Sequence, residues 1–257
     1  MNRGSAAESQ RAEIGAFDPI SLAEVVEAAA LQTRVDRKYL IAPDAFADLM
    51  QGLAGTCRVL DIDGLRDFRY ESVYFDTAGL DSYRRAATGR RRKFKVRTRS
   101  YLDSGGTVLE VKTEGGREET VKDRLPTTAR QRDSIDPAGL AFVDARIDVP
   151  AHELRPVLTT TYHRATLVDA DAGFRMTCDA GLRLSDRAGT VVEMTDHVLV
   201  ETKSLRGAGP ADRLLWRLGH RPVPISKYCV GMAAVDPGLP ANRWNRTLRR
   251  YFGWRPA

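Results

Sequence analysis

Lys93, Lys95, Arg97 and Arg99 recur at two-residue intervals, and Glu110 and Lys112 repeat that spacing on the next alternating run. Residues two apart share one face of an extended strand, so the spacing predicts a row of four cations beside a carboxylate and a further cation. Phe94, Val96, Leu109 and Val111 take the opposite face. A row of like charges repels itself; water or counterions relieve it, or a polyanion held against it does. A charged face is also the ordinary wet side of an antiparallel sheet, so the hairpin alone does not choose between these readings.

The same pairing returns along the chain: Asp36 with Lys38, Arg175 with Asp179, and Glu201 with Lys203, each alternating with apolar residues. If the apolar faces pack outward on helices, the charged faces point together. A closed antiparallel barrel lined this way makes a poor hydrophobic core and a good sleeve for phosphate. Its carboxylates suit a hard divalent cation, Mg²⁺ or Mn²⁺.

The elements that must position these residues are legible in the same terms. Residues 93–112 read as a hairpin turning at Asp103, Ser104, Gly105 and Gly106. Strands are expected at 34–41, 70–75, 120–124, 155–169, 173–184 and 197–204, and a turn at Gly115 and Gly116. Ser21 with Glu24 caps a helix near 19–34, and Pro43, Pro137 and Pro210 each open another. Residues 1–18 are expected to be a disordered leader without a signal-peptide core, and 19–236 the main domain. Residues 237–257 form a basic, aromatic tail, read as a docked or frayed terminus or as a short surface helix touching an anionic partner.

The chain has 257 residues, 42% hydrophobic and 29% charged, which is enough for a sizeable core. Its net charge of +6 is clustered: nine of the sixteen residues 84–99 are Lys or Arg, with no acid among them. Cys57, Cys178 and Cys229 make no metal or disulfide pattern, so the expected setting is a reducing cytoplasm. No run approaches the roughly twenty apolar residues of a membrane-spanning helix, so a membrane role would need a partner protein.

RVDRKYL (34–40), YFDT (74–77), KVRTRSY (95–101), LEVKTEGG (109–116), ETVKDR (119–124), RPVLTTTYHR (155–164), FRMTCDAGL (174–182), LVETKS (199–204) and ISKYCVGM (225–232) together carry a resemblance. In that order they resemble the VTC domain, the polyphosphate polymerase module of vacuolar transporter chaperone complexes and of stand-alone bacterial relatives. That family lies within the triphosphate tunnel metalloenzymes, which include the CYTH proteins. The resemblance implies an α+β fold with an eight-stranded antiparallel barrel, the triphosphate tunnel, and flanking helices. It implies that Lys38, Arg97, Arg99, Lys112, Lys122, Arg164, Arg175 and Lys227 bind phosphate during transfer, with Lys95, Lys203 and Ser226 as further substrate contacts. Glu201 matches the family's metal-binding glutamate, and Glu110 and Asp36 stand where related tunnels carry carboxylates. The CYTH pattern ExExK is replaced by Arg34, Asp36 and Lys38, which argues against CYTH-type hydrolysis, and Pro224 replaces a basic residue of the eukaryotic polymerase.

The expected activity is therefore transfer of the γ-phosphoryl group of ATP to polyphosphate with Mn²⁺ or Mg²⁺. The alternatives are an inorganic or nucleoside triphosphatase and a non-catalytic polyphosphate-binding protein. A nucleic-acid partner would call for aromatics among the cations, and only Phe94 and Tyr101 are available, with Phe94 facing away. His163 and His197 read as structural, because transfer between phosphates needs no protein base. Ser226 lacks the His and Asp spacing of an activated nucleophile.

Overall fold

Alternating stretches become strands, and capped or proline-led stretches become helices. The computed structural model describes residues 5–29, 35–114, 120–169, 171–205 and 207–256. In chain order the elements begin with α1 (Ala6–Ile14), β1 (Pro19–Ile20), α2 (Leu22–Ala29), β2 (Val35–Ile41), α3 (Pro43–Leu53), β3 (Arg58–Leu60), β4 (Phe68–Asp76) and α4 (Asp81–Ala87). The hairpin β5 (Phe94–Tyr101) and β6 (Thr107–Glu114) follows, then β7 (Thr120–Thr127) and α5 (Pro137–Asp144). The rest is β8 (Arg155–Asp169), β9 (Phe174–Asp186), β10 (Val191–Met194), β11 (Val198–Ser204), α6 (Pro210–Arg217), α7 (Lys227–Val235) and α8 (Asn245–Tyr251).

Among the described residues the hydrogen-bonded order is β2-β11-β9-β8-β4-β5-β6-β7, with β1, β3 and β10 off that path among eleven strands. The α+β class with flanking helices is as expected. The closed eight-stranded barrel is corrected: eight strands lie on the path, but the path has two ends, and three more strands are added. Those three are only two to four residues long, too short to show alternation in the sequence.

The chain divides into two compact units. The first comprises residues 1–68, 162–182 and 194–224. Its core joins the apolar faces of β2 (Tyr39, Ile41), β11 (Val198, Val200) and β9 (Met176, Cys178) to Phe46, Leu49, Met50 and Leu53 of α3 and Leu215 of α6. Each fully buried Leu or Phe there contributes about 1.5–3 kcal/mol. Residues 6–14, expected as part of a disordered leader, form α1 instead. A reciprocal Ser5 and Glu8 capping box starts it. Buried Gln10 then donates to Asp67 Oδ1 at 2.9 Å, and the same carboxylate is bonded to His163 Nδ1 at 2.9 Å. Residues 1–4, Arg34 and the expected turn at Gly115 and Gly116 lie outside the described residues.

The second unit comprises residues 69–161, 183–193 and 225–257. Val73, Phe75, Phe94, Val96, Leu109 and Val111 pack there on Val143 of α5. Helix α4 occupies what the sequence presented as a charged connection. Buried Asp76 starts it by accepting the backbone N–H groups of Ser82 (2.9 Å) and Tyr83 (3.0 Å). The C-terminal segment docks rather than frays: Trp244 and Trp254 are buried, and the Trp254 indole N–H donates to the Ala233 carbonyl at 2.7 Å. At Gly231 of α7 a Cβ would lie 2.6 Å from Leu158 Cδ2, so any larger residue would have to displace the Leu158 side chain.

Candidate phosphate-binding faces

Each unit carries one charged face. In the second unit the registers of β5, β6 and β7 set Lys95 opposite Lys112 and Lys112 opposite Lys122, a rung of three lysines. The adjacent rung sets Arg97 opposite Glu110 and Glu110 opposite Arg124. Directly opposed residues share a face, so all six charged side chains stand on one surface together with Arg99.

Glu110 is the organising charge of this surface. It is 1% exposed, and Arg97 Nη2 lies 2.6 Å from its Oε2 while Lys122 Nζ and Arg124 Nε lie 2.5 and 3.2 Å from its Oε1. Arg99 Nε stands 3.8 Å from Oε2. Burial alone would raise the Glu110 carboxyl, but Arg97, Arg99 and Lys122 outweigh it and hold it well below the usual carboxylate range. Both oxygens of this expected metal ligand are thus engaged by cations. Arg124 was not singled out in the sequence, although its two-residue spacing from Lys122 on β7 was the available signal.

Aromatic rings set the arginines. Arg97 lies over Tyr74 at 5.6 Å, and Tyr74 stacks on Tyr228 at 5.1 Å. The Tyr228 hydroxyl donates to Asp76, so the YFDT stretch both starts α4 and fixes the ring under Arg97. Arg99 lies over Tyr70 at 5.7 Å. Its Nε is buried without a hydrogen-bond partner, as is the hydroxyl of Ser72, directly opposite Arg99 on β4. Both are buried polar groups whose hydrogen-bonding capacity is unused within the fold.

The Lys122 ammonium is pulled down to about 7, first by burial and then by the Arg99 and Arg97 charges, against the raising pull of Glu110. A phosphate bound here favours the ammonium form. Tripolyphosphate binding is therefore expected to weaken as pH rises through about 7 and to take up protons above it. Calorimetry in two buffers of different ionisation enthalpy measures that uptake. An uptake equal in wild type and Lys122→Arg would contradict the assignment.

In the first unit the registers set Lys38 opposite Glu201 and Glu201 opposite Thr177, and Asp36 opposite Lys203 and Lys203 opposite Arg175. Lys203 Nζ is held between two carboxylates, 2.6 Å from Asp36 Oδ2 and 2.8 Å from Glu201 Oε1. Burial would raise the Glu201 carboxyl, and the charges of Lys38, Lys203 and Arg164 more than reverse this, leaving it well below the usual range. Arg164 makes a two-pronged pair with buried Asp179, at 2.6 and 2.7 Å, which fixes its guanidinium plane. Asp179 acts as this orienting group, a role its place on the Arg175 face did not reveal. Behind the strands, Asp212 accepts from Tyr39 (2.7 Å), Thr202 (2.7 Å) and the Gly209 N–H (2.8 Å), tying β2 and β11 to α6.

Lys227 is the first residue of α7 in the second unit, and the Ser226 hydroxyl caps that helix by accepting from the Cys229 N–H at 3.4 Å. The structure thus places Lys95, Arg97, Arg99, Glu110, Lys112 and Lys122 on one face and Asp36, Lys38, Arg175, Glu201 and Lys203 on the rungs of another.

The VTC domain model matches residues 33–236. The chain belongs to the VTC domain family. Among solved structures it is similar to an adenylyl-cyclase candidate from Hippeastrum with a dominant triphosphatase activity, at TM-score 0.51 and 15% identity, covering 78% of this chain and 96% of that one. It is also similar to a protein from Pyrococcus horikoshii OT3, at TM-score 0.39 and 12% identity over 73% and 88% of the two chains. No curated protein matches. The Hippeastrum likeness agrees with the VTC domain assignment at the level of the fold. Among the described residues no helix is long and apolar enough to cross a membrane.

Proposed function

We propose that this VTC domain is a metal-dependent polyphosphate polymerase that transfers the γ-phosphoryl group of ATP to the end of a polyphosphate chain. The observation that carries the reading is the second unit's charged face. Arg97, Arg99, Lys122 and Arg124 surround a single carboxylate, Glu110, and Lys95 and Lys112 stand on the adjacent rung, a surplus of positive charge suited to a polyanion. In the reaction a terminal phosphate oxygen of the chain attacks the γ-phosphorus. The bond from that phosphorus to the β,γ-bridging oxygen breaks, and ADP leaves with the electron pair. The arginines and lysines offset charge on the phosphoryl oxygens and hold donor and acceptor in line. The acceptor brings its own nucleophile, and His163 is engaged by Asp67.

The donor set fits a hard divalent cation. Asp36 and Glu201 already converge on one positive group, the Lys203 ammonium, and Glu201 is 21% exposed where Glu110 is 1%. Among the described residues no three His, Cys, Asp or Glu side chains gather as a closed cage. Mg²⁺ is commonly held in that open way, by one or two carboxylates with substrate phosphates and water. Glu201, with Asp36, would hold Mn²⁺ or Mg²⁺, which when bound would supply charge neutralisation to phosphate oxygens on that face.

A second reading, triphosphate hydrolysis, is favoured by the activity described for the Hippeastrum protein. Both readings require the phosphate-binding face. Titration with tripolyphosphate should show binding that weakens about tenfold or more in Arg99→Ala and in Lys112→Ala. Unchanged affinity in both variants would remove the phosphate assignment.

A further inference from the structure

Seven arginines of the second unit gather away from the paired strand faces. Arg90, Arg91 and Arg92 form the exposed loop after α4, and Arg92, 82% exposed with φ 56°, holds a backbone conformation that side-chain-bearing residues rarely adopt. Arg246, Arg249 and Arg250 are exposed on α8 at i, i+3 and i+4, so they share one face, and Arg243 precedes them by one turn. Arg243 joins the two segments: its guanidinium donates to the Ala86 carbonyl at the end of α4, 3.2 Å away, beside Gly89.

Among the described residues Arg90, Arg91, Arg246, Arg249 and Arg250 have no acidic partner within 4 Å, and Arg92 has one only at 3.8 Å, the Asp148 that Arg85 already binds. Like charges one turn apart destabilise a helix, so α8 is held by its buried Leu248 and the flanking tryptophans rather than by its own sequence. Trp244 and Trp254 are therefore not available to enter a lipid surface or to stack on bases, Tyr251 and Phe252 are half-buried, and what the surface offers outward is a set of guanidinium groups suited to phosphate. The arginine loop also runs directly into Lys93 and Lys95, which stand at intervals of roughly 7 Å on the face that carries Arg97.

We infer that the surface formed by the 90–92 loop and α8 is an external docking track for the polyphosphate chain, distinct from the face that handles the reacting phosphates. The inference rests on the function proposed above and adds a second site with a preference for long chains.

The test uses the full chain, with long-chain polyphosphate of about 100 phosphates and tripolyphosphate as separate probes. The variants are Arg246→Gln/Arg249→Gln/Arg250→Gln and Arg90→Gln/Arg91→Gln. Wild type should bind the long chain at least tenfold more tightly than tripolyphosphate. Either variant should lose about tenfold for the long chain and keep its tripolyphosphate affinity and melting temperature. For the triple variant the plot of log affinity against log salt should flatten by about two, since each phosphate neutralised on a flexible strand contributes roughly 0.7. Long-chain affinity unchanged in both variants, with tripolyphosphate still bound, would overturn the track and leave the function standing. Failure of wild type to bind either probe would overturn both. Loss of binding to single-stranded RNA or to anionic vesicles, with polyphosphate affinity intact, would assign the surface to that partner instead.

Discussion

Glu201→Gln is expected to lower metal-dependent turnover of ATP by roughly 100-fold or more, about 3 kcal/mol of transition-state stabilisation. The substitution keeps size and hydrogen-bonding capacity while removing the charge that, with Asp36, already holds a cation, the Lys203 ammonium. If the carboxylate holds the ion as proposed, the loss should appear as a raised Mn²⁺ requirement together with a lowered kcat. Asp36, 46% exposed where Glu201 is 21%, should matter less: Asp36→Asn is expected to cost roughly tenfold. Turnover of Glu201→Gln within about threefold of wild type at the same Mn²⁺ concentration would show that the metal, if used, sits elsewhere.

Glu110→Gln is expected to act on stability first. Removing the charge leaves Arg97, Arg99, Lys122 and Arg124 crowded on adjacent strands around a neutral amide. Breaking a buried ion pair on one side costs about 3–5 kcal/mol, which for a chain of this size lowers the melting temperature by roughly 10 °C. Tripolyphosphate restores counter-charge, so it should raise the melting temperature of the variant by more than that of wild type. The acid side gives the sign independently. The Glu110 carboxyl is depressed in the fold, so its contribution is present above the ordinary value of 4.5 and is lost as pH falls below it toward the folded one. Glu110→Gln should lack that part of the acid transition. A melting temperature within about 2 °C of wild type, unaffected by tripolyphosphate, would mean that the four cations do not depend on this carboxylate.

The strands that present the charged faces were legible because alternation is a local property. Phe94 to Tyr101 and Arg155 to Asp169 needed no distant partner to be recognised. What escaped depended on partners far along the chain. Helix α1 is poor in apolar residues and is held by Gln10 on Asp67, 57 positions away, so its sequence reads as a tail. Helix α4 hides inside an arginine-rich run because its starting group, Asp76, belongs to the preceding strand. Of the site, the cations were visible one strand at a time, whereas the position of Glu110 among them is set by the registers of three strands. That its two oxygens face Lys122, Arg124 and Arg97 follows from those registers and not from any one strand's sequence. Asp36 and Glu201 were visible as carboxylates, but their convergence on Lys203 follows from the β2 to β11 pairing.

The most direct test of the central claim is phosphorus NMR of the purified protein incubated with ATP and Mn²⁺, with Glu201→Gln and Lys112→Ala alongside. The account predicts growth of the internal-phosphate resonance of a polyphosphate chain in step with ADP, absent in both variants. ATP left intact, or orthophosphate as the sole phosphate product beside ADP, would contradict it.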